Sequence, residues 1–459
     1  MVRVVVEESG SDIGSTNGEG NRPRGGPVRR SRARRVGRAV RGLAVDVTPL
    51  RRSRDYRLLW FGELISETGR QITAVAVYIQ VFRLTGSPGA VGIVGLVQLV
   101  PLVLTSIAGG AIVDRVDRRK LLMVSQVGLA MASAILLVGA LAGDPPLVLV
   151  YGASGLSAAF GGLDYPTRSA IVPNLVTRDQ LPSAIALNQV MFNATMIVGP
   201  AVAGLVVARL GLSWAYGLDL MTYGATLVAA ALMRPQPPRS SRSRGDERPS
   251  GLASIAEGFS YLRGRRVLQS NFTIDLVAMI FGMPRALFPI LAATQFGAMG
   301  DAEAARITGW LFSAIAVGAL AGAATAGWVG RIRRQGLAVM WAVAVWGLAI
   351  AAFGLVGSNL WLALLLLALA GGADVVSAVF RNTILQSSVP DDLRGRLSAM
   401  HVLVVTGGPR LGDFEAGLVA QAFTPTISVV SGGVVCVAGV AAIGLLVPRF
   451  VRYRAGEPA

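Results

Sequence analysis

The stretch Gly110-Ala111-Ile112-Val113-Asp114-Arg115-Val116-Asp117-Arg118-Arg119-Lys120 decides how this chain folds. It is a short charged turn between two long apolar runs, residues 88–113 before it and residues 121–141 after it. About 20 predominantly apolar residues span the hydrocarbon core of a bilayer. The stretch therefore predicts a tight turn between two membrane helices. Arg115, Arg118, Arg119 and Lys120 outweigh Asp114 and Asp117, so the turn is net positive. Turns rich in arginine and lysine stay in the cytoplasm, and this one orients everything around it.

Working outward, runs of spanning length recur along the 459 residues, of which 53% are hydrophobic. The reading is an all-α membrane protein with twelve transmembrane helices, near residues 57–83, 88–113, 120–142, 146–173, 181–208, 212–233, 269–295, 304–330, 336–357, 359–388, 396–422 and 426–448. Alternate turns carry the arginines, which predicts a multi-pass protein of the cytoplasmic membrane with both termini in the cytoplasm. The net charge of +17 is almost all arginine, Lys120 being the only lysine. Such charge fits topology and anionic lipid headgroups as partners, and no nucleic acid is invoked. The one cysteine, Cys436, and the one histidine, His401, build neither a disulfide framework nor a metal cluster. No cofactor is expected.

Composition divides the chain further. Residues 1–54 form a basic cytoplasmic tail, dense in like charge and poor in apolar residues, and read as disordered. Residues 55–233 form a six-helix half. A linker follows over residues 234–268, where a Pro/Ser/Arg stretch leads into Leu252, Ile255, Ala256, Phe259 and Leu262 at the spacing of a surface amphipathic helix. Residues 269–450 form the second half and residues 451–459 a short tail. The halves repeat: Arg168-Ser169-Ala170-Ile171 aligns with Arg381-Asn382-Thr383-Ile384, and without a gap Gly199 meets Gly412 and Gly204 meets Gly417. The charged turn recurs as Gly330-Arg331-Ile332-Arg333-Arg334, without its acids. Two pseudo-symmetric six-helix halves around a central site make a transporter architecture.

The motifs carry a resemblance. Gly110, Asp114, Arg115, Arg118 and Arg119 match the signature turn G-x-x-x-D-[RK]-x-G-[RK]-[RK] of the major facilitator superfamily, with Asp117 where the family has glycine. In the fifth span, Gly199, Pro200 and Gly204 resemble the G-P-x-x-G-G motif of the antiporters of that superfamily. The stretches Asp164 to Val176 and Leu181 to Asn188 resemble the enterobactin (siderophore) exporter family and its macrolide-efflux relatives. The resemblance implies the major facilitator fold, proton-driven export of a small molecule, and a cavity lined by the first, fourth, seventh and tenth spans. A single copy is taken as the working unit.

Charges inside the spans mark the candidate site, because each costs about 3 kcal/mol near the bilayer centre on insertion scales. Glu63, Glu67 and Arg70 share one face of the first span, and Asp374 and Arg381 one face of the tenth. Glu67, Asp374 and Asp275 are the proton-coupling candidates, and Arg70, Arg285, Arg381 and Arg410 the substrate-cavity candidates. Asp164 and Arg168 read as gate residues together with the signature turn, their expected partners being Arg115 and Asp114. Two substrate readings stay open: a siderophore exporter, or a multidrug or macrolide efflux antiporter of the same fold. A non-transporting receptor would need a signalling domain that the short polar tail and linker do not supply. An enzyme would need a nucleophile–base set, metal ligands or a nucleotide-binding loop, none of which the chain offers.

Overall fold

The computed structural model describes residues 46–113, 115–237, 251–325, 327, 329 and 332–454. The expected basic tail up to residue 45, Asp114 of the signature turn, and Gly330 and Arg331 of its second copy lie outside the described residues.

Regular structure among the described residues is helical. The first six long helices are α1 (Arg54–Thr85), α2 (Pro88–Val113), α3 (Arg118–Leu141), α4 (Leu147–Leu175), α5 (Leu181–Leu210) and α6 (Leu212–Leu232). The short α7 (Gly251–Leu262) lies where the amphipathic pattern falls. Then come α8 (Arg266–Phe281), α9 (Phe288–Thr294), α10 (Asp301–Thr325), α11 (Gln335–Leu355), α12 (Leu360–Ser388), α13 (Asp391–Ala422) and α14 (Pro425–Leu446). Helix ends follow local chemistry. The Ser53 side chain accepts from the Tyr56 N–H to start α1, and Gly86, at φ 61°, ends it by donating its N–H to the Phe82 carbonyl. That left-handed cap is one only glycine adopts at little steric cost.

Among the described residues, ten spans are long and apolar enough to cross a membrane. One of them, Arg266–Thr294, takes in both α8 and α9. The 32-residue helices α1 and α13 are not among the ten: their length suffices, but each carries several ionised residues. The seventh span, expected to be continuous over residues 269–295, is instead broken. α8 stops at Phe281, Gly282-Met283-Pro284 intervene, and a 3-10 turn, Arg285–Leu287, leads into α9. Pro284 and Pro289 lack the backbone N–H groups that would continue the helix. The indole N–H of Trp346 donates to the Gly282 carbonyl at 3.1 Å and so satisfies one group at the break.

Packing follows two local sets. α1 lies on α5 and α6, α2 on α4, and α3 on α4 and α6. In the later helices α10 and α11 lie on α12, α11 also lies on α14, and α8 lies on α13. The two sets meet where α2 packs on α13 and α5 on α10. Backbones approach closely there: a Cβ on Gly204 would stand 2.8 Å from the Ala305 carbonyl oxygen and 3.0 Å from Gly309 Cα. Small residues permit such contact between membrane helices. This is the work of the α5 motif, with Gly204 against α10 and Gly199 against Thr68 and Gln71 of α1.

Candidate functional site

Charges in the spans gather in groups, each explained by the need of a desolvated charge for a partner. On α1, Arg70 holds Glu67 through two N–H groups, Nε at 2.9 Å and Nη2 at 2.6 Å, and Gln71 Nε2 adds a third donor at 2.7 Å. The spacing of three and four residues produces these contacts directly.

One turn earlier on the same face, Glu63 reaches across to α4, where its Oε1 lies 3.3 Å from Nη1 of Arg168. Arg168 also donates through Nε to Asp164. The other oxygen of Asp164 accepts from Ser125 Oγ at 2.8 Å and Gln126 Nε2 at 2.7 Å, both on α3. Of the partners expected in the signature loop, Asp114 lies outside the described residues, and Arg115 is not the partner of Asp164. Asp164 and Arg168 pair with each other, with Glu63 and with α3, because these partners lie inside the helix layer while Arg115 is exposed.

The later helices hold a second arginine-centred group. Arg381 of α12 is 2% exposed, and its Nη2 lies 3.0 Å from Asp275 on α8 and 3.6 Å from Asp374 on its own helix. Asp275 is 1% exposed, whereas Asp374 is 27% exposed and forms the open edge of the group. His401 on α13 completes the ring of side chains.

A third group joins the two sets of helices. Asp413 of α13 is fully buried and accepts from Tyr78 Oη of α1 at 2.7 Å, from Arg285 Nη2 at 3.3 Å and from the Ala286 N–H at 3.2 Å. Arg285, a cavity candidate by sequence, thus ties the break between α8 and α9 to α13. Nearby, Arg83 donates to the Asp301 carbonyl at 3.1 Å, Ser87 to Gln421 Oε1 at 2.7 Å, and Ser313 to the Ile197 carbonyl at 2.8 Å. The first two of these contacts lie beside the turns at Gly86 and Gly300, and the third lies midway along α5 and α10. Arg410, also on α13, donates to the Thr406 carbonyl at 2.6 Å.

In the signature turn, Gly110 has open space around its Cα. Arg119 Nη2 donates to the Ala231 carbonyl at 2.6 Å at the end of α6. Asp117, the departure from the family pattern, caps α3: its Oδ1 accepts from the Arg119 N–H at 2.8 Å and from the Gln236 N–H at 3.2 Å. The family glycine would leave both donors without this acceptor. The capping role was readable from an acid immediately ahead of a helical run. Glu63 and Asp413 were marked only as charges within spans, and Tyr78 and His401 had no signal as site residues, since their partners come from distant helices.

An apolar groove of about 770 Å³ lies between α10, α11 and α12, lined by Val317, Trp341, Leu369 and Val376 among others. None of the acid–arginine groups lines it.

The model of the transmembrane secretion effector family matches residues 44–453. The enterobactin exporters EntS of Shigella boydii serotype 18 and Escherichia coli O81 are each 27% identical to this chain over 380 residues, covering 82% of it and 88% of their own length. Among solved structures, a POT family transporter in complex with 5-aminolevulinic acid superposes with a TM-score of 0.68 at 14% identity, covering 87% of this chain and 97% of that one. A bacterial homologue of the iron transporter ferroportin, in an inward-facing state, superposes with a TM-score of 0.62 at 15% identity, covering 87% of this chain and 98% of that one. At these identities the structural likeness speaks for the fold alone. The family match covers nearly the whole chain, so the protein belongs to the transmembrane secretion effector family of major facilitator transporters, and it is a multi-span membrane transporter rather than an enzyme.

Proposed function

We propose that the chain is a proton-coupled exporter that moves a small molecule, a siderophore of the enterobactin type, out of the cytoplasm by alternating access. Its twelve spans are the ten apolar ones together with α1 and α13, arranged as two six-helix halves over residues 55–233 and 269–450. Both termini are cytoplasmic, since the arginine-rich turns mark that side, and a single copy does the work.

One observation carries the reading: buried and half-buried carboxylates stand against arginines on α1 and α4 in the first half and on α8 and α12 in the second. Charges this costly in a membrane belong to a pathway for ions and polar solutes. Glu67, Asp374 and Asp275 are the proton carriers in this proposal. Arg70 and Arg410 face the anionic substrate, and Arg168 with Asp164 serves the inner gate. The contacts around Asp413 and Gln421 close the outer end, so the closed end favours a state open to the cytoplasm. The substrate class is taken from the relatives, whose name states what they export.

The test is purified protein in vesicles with an imposed pH gradient and enterobactin as the probe. The expected result is accumulation against its gradient, abolished by a protonophore and by Glu67→Gln. Accumulation indifferent to the pH gradient overturns proton coupling. Transport of a cationic macrolide but not of enterobactin overturns the substrate. For topology, a reporter fused after Arg454 should be cytoplasmic and one placed in the turn at Gly300–Ala304 external; a cytoplasmic Gly300 turn breaks the twelve-span arrangement.

A further inference from the structure

We propose that His401 and Asp275 bind one proton between them and form the proton site of the second half, an inference that rests on the proton-coupled reading above. His401 is the only histidine in the chain. It stands on α13 with its Nδ1 3.7 Å from Oδ2 of Asp275, and its side chain is 17% exposed. Neither oxygen of Asp275 has a hydrogen-bond donor among the described residues, and Arg381 Nε and Nη1 likewise lack acceptors there. The carboxylate is thus held by charge alone, with one oxygen turned toward the imidazole.

The charge count explains why. Asp275, Asp374 and Arg381 sum to −1 with both acids ionised, and one guanidinium is divided between two carboxylates. A buried net charge is costly. One proton on His401 brings the group to neutrality and gives Nδ1 an N–H to donate to Asp275. Beside the imidazole, from α8, come Asp275 and the edge of Phe272, with ring centroids 6.2 Å apart. From α12 comes Arg381, which opposes protonation, with Asp374 behind it, which favours it. α2 carries no ionisable side chain, α14 only the Cys436 thiol, and α7 Tyr261 and the exposed Glu257. On α13 itself, Arg410, Asp413 and Glu415 lie more than two turns further on, and Arg396, Arg394, Asp392 and Asp391 lie five to ten residues before His401, their side chains outside those described. Histidine is the side chain whose unperturbed pKa, about 6.5, changes its charge between about pH 5 and 8. The exposed edge at Asp374 supplies the route by which the proton enters and leaves.

The single histidine permits a direct test on the wild-type chain. Protein labelled with ¹⁵N-histidine and carrying a tag without histidine is placed in nanodiscs, and its imidazole nitrogens are followed from about pH 5 to 8. The expected result is one titration, whose midpoint falls by about half a pH unit or more in Asp275→Asn, because a favourable anion is lost. An imidazole that does not titrate in this range, or that titrates with an unchanged midpoint in Asp275→Asn, overturns the pair. In vesicles, His401→Gln should reduce enterobactin accumulation driven by the pH gradient by about tenfold or more and flatten its dependence on pH. If the wild type responds to the gradient and His401→Gln responds equally, this inference fails alone. If the wild type does not respond, the proton-coupled reading fails and the proton site with it.

Discussion

The two arginine-centred groups have the same formal composition and are satisfied differently. Around Arg168 stand Glu63 and Asp164; around Arg381 stand Asp275 and Asp374. In the first, Ser125 and Gln126 of α3 donate to Asp164, so that acid keeps neutral donors besides its arginine. In the second, the position that aligns with Asp164 in the internal repeat is Ser377, buried and without a hydrogen-bond partner among the described residues. The acids there come from Asp374 and from α8, and a histidine replaces the serine and amide donors. The aligned arginines Arg168 and Arg381 thus recur in sequence while what surrounds them changes. The first group keeps neutral donors beside its charges, and the second carries a titratable imidazole in their place.

The comparison can be broken at four points. The largest effect is expected from Arg381→Met, which leaves two carboxylates without their cation. Breaking a buried pair costs about 3–5 kcal/mol, and the midpoint of chemical unfolding in detergent should fall accordingly. Arg168→Met should fall less, since Asp164 retains its donors; equal losses would erase the distinction. Next, Ser125→Ala should remove about 1.5–3 kcal/mol, the range for a hydrogen bond to a charged group. A neutral result would show that α3 does not hold Asp164. Below that comes Asp117→Ala, where a lost helix cap is worth about 1 kcal/mol; the unfolding midpoint should drop slightly, and a gain would remove the capping role. Smallest is Ser377→Ala, expected within about 0.5 kcal/mol of wild type or mildly stabilising, since it removes a hydroxyl with no described partner. A loss as large as that of Ser125→Ala would reveal a partner for Ser377 and make the two groups alike.

Much of the frame was legible. The apolar run at residues 88–113 is α2 to the residue, and the runs at 146–173 and 181–208 differ from α4 and α5 by two residues or fewer at each end. Hydrophobic length is a local property and reads directly from composition. The pairs Glu67–Arg70 and Asp374–Arg381 were legible for the same reason, because both partners lie on one helix face. Glu63–Arg168, Asp275–Arg381 and Tyr78–Asp413 were not, since they depend on how helices distant in the chain are set against each other. The break after Phe281 had a visible cause in Gly282-Met283-Pro284, but the apolar run continues through it and hides it from a count of hydrophobic residues.

The charges of α1 and α13 also set a timetable for synthesis. Among the described residues α1 is the earliest long helix, and Glu63 must wait for Arg168, which lies beyond two further helices and most of a third. At about 5–20 residues per second the interval is roughly 5–20 s. During it Glu63 lacks the arginine it faces in the folded protein. α13 has the opposite history. When it emerges, Tyr78, Arg285 and Asp275 are already in place to receive Asp413 and His401. An early helix of the bundle, α1, therefore depends on later ones, and a late one, α13, depends on earlier ones. Assembly of the bundle is complete only when both debts of charge have been met.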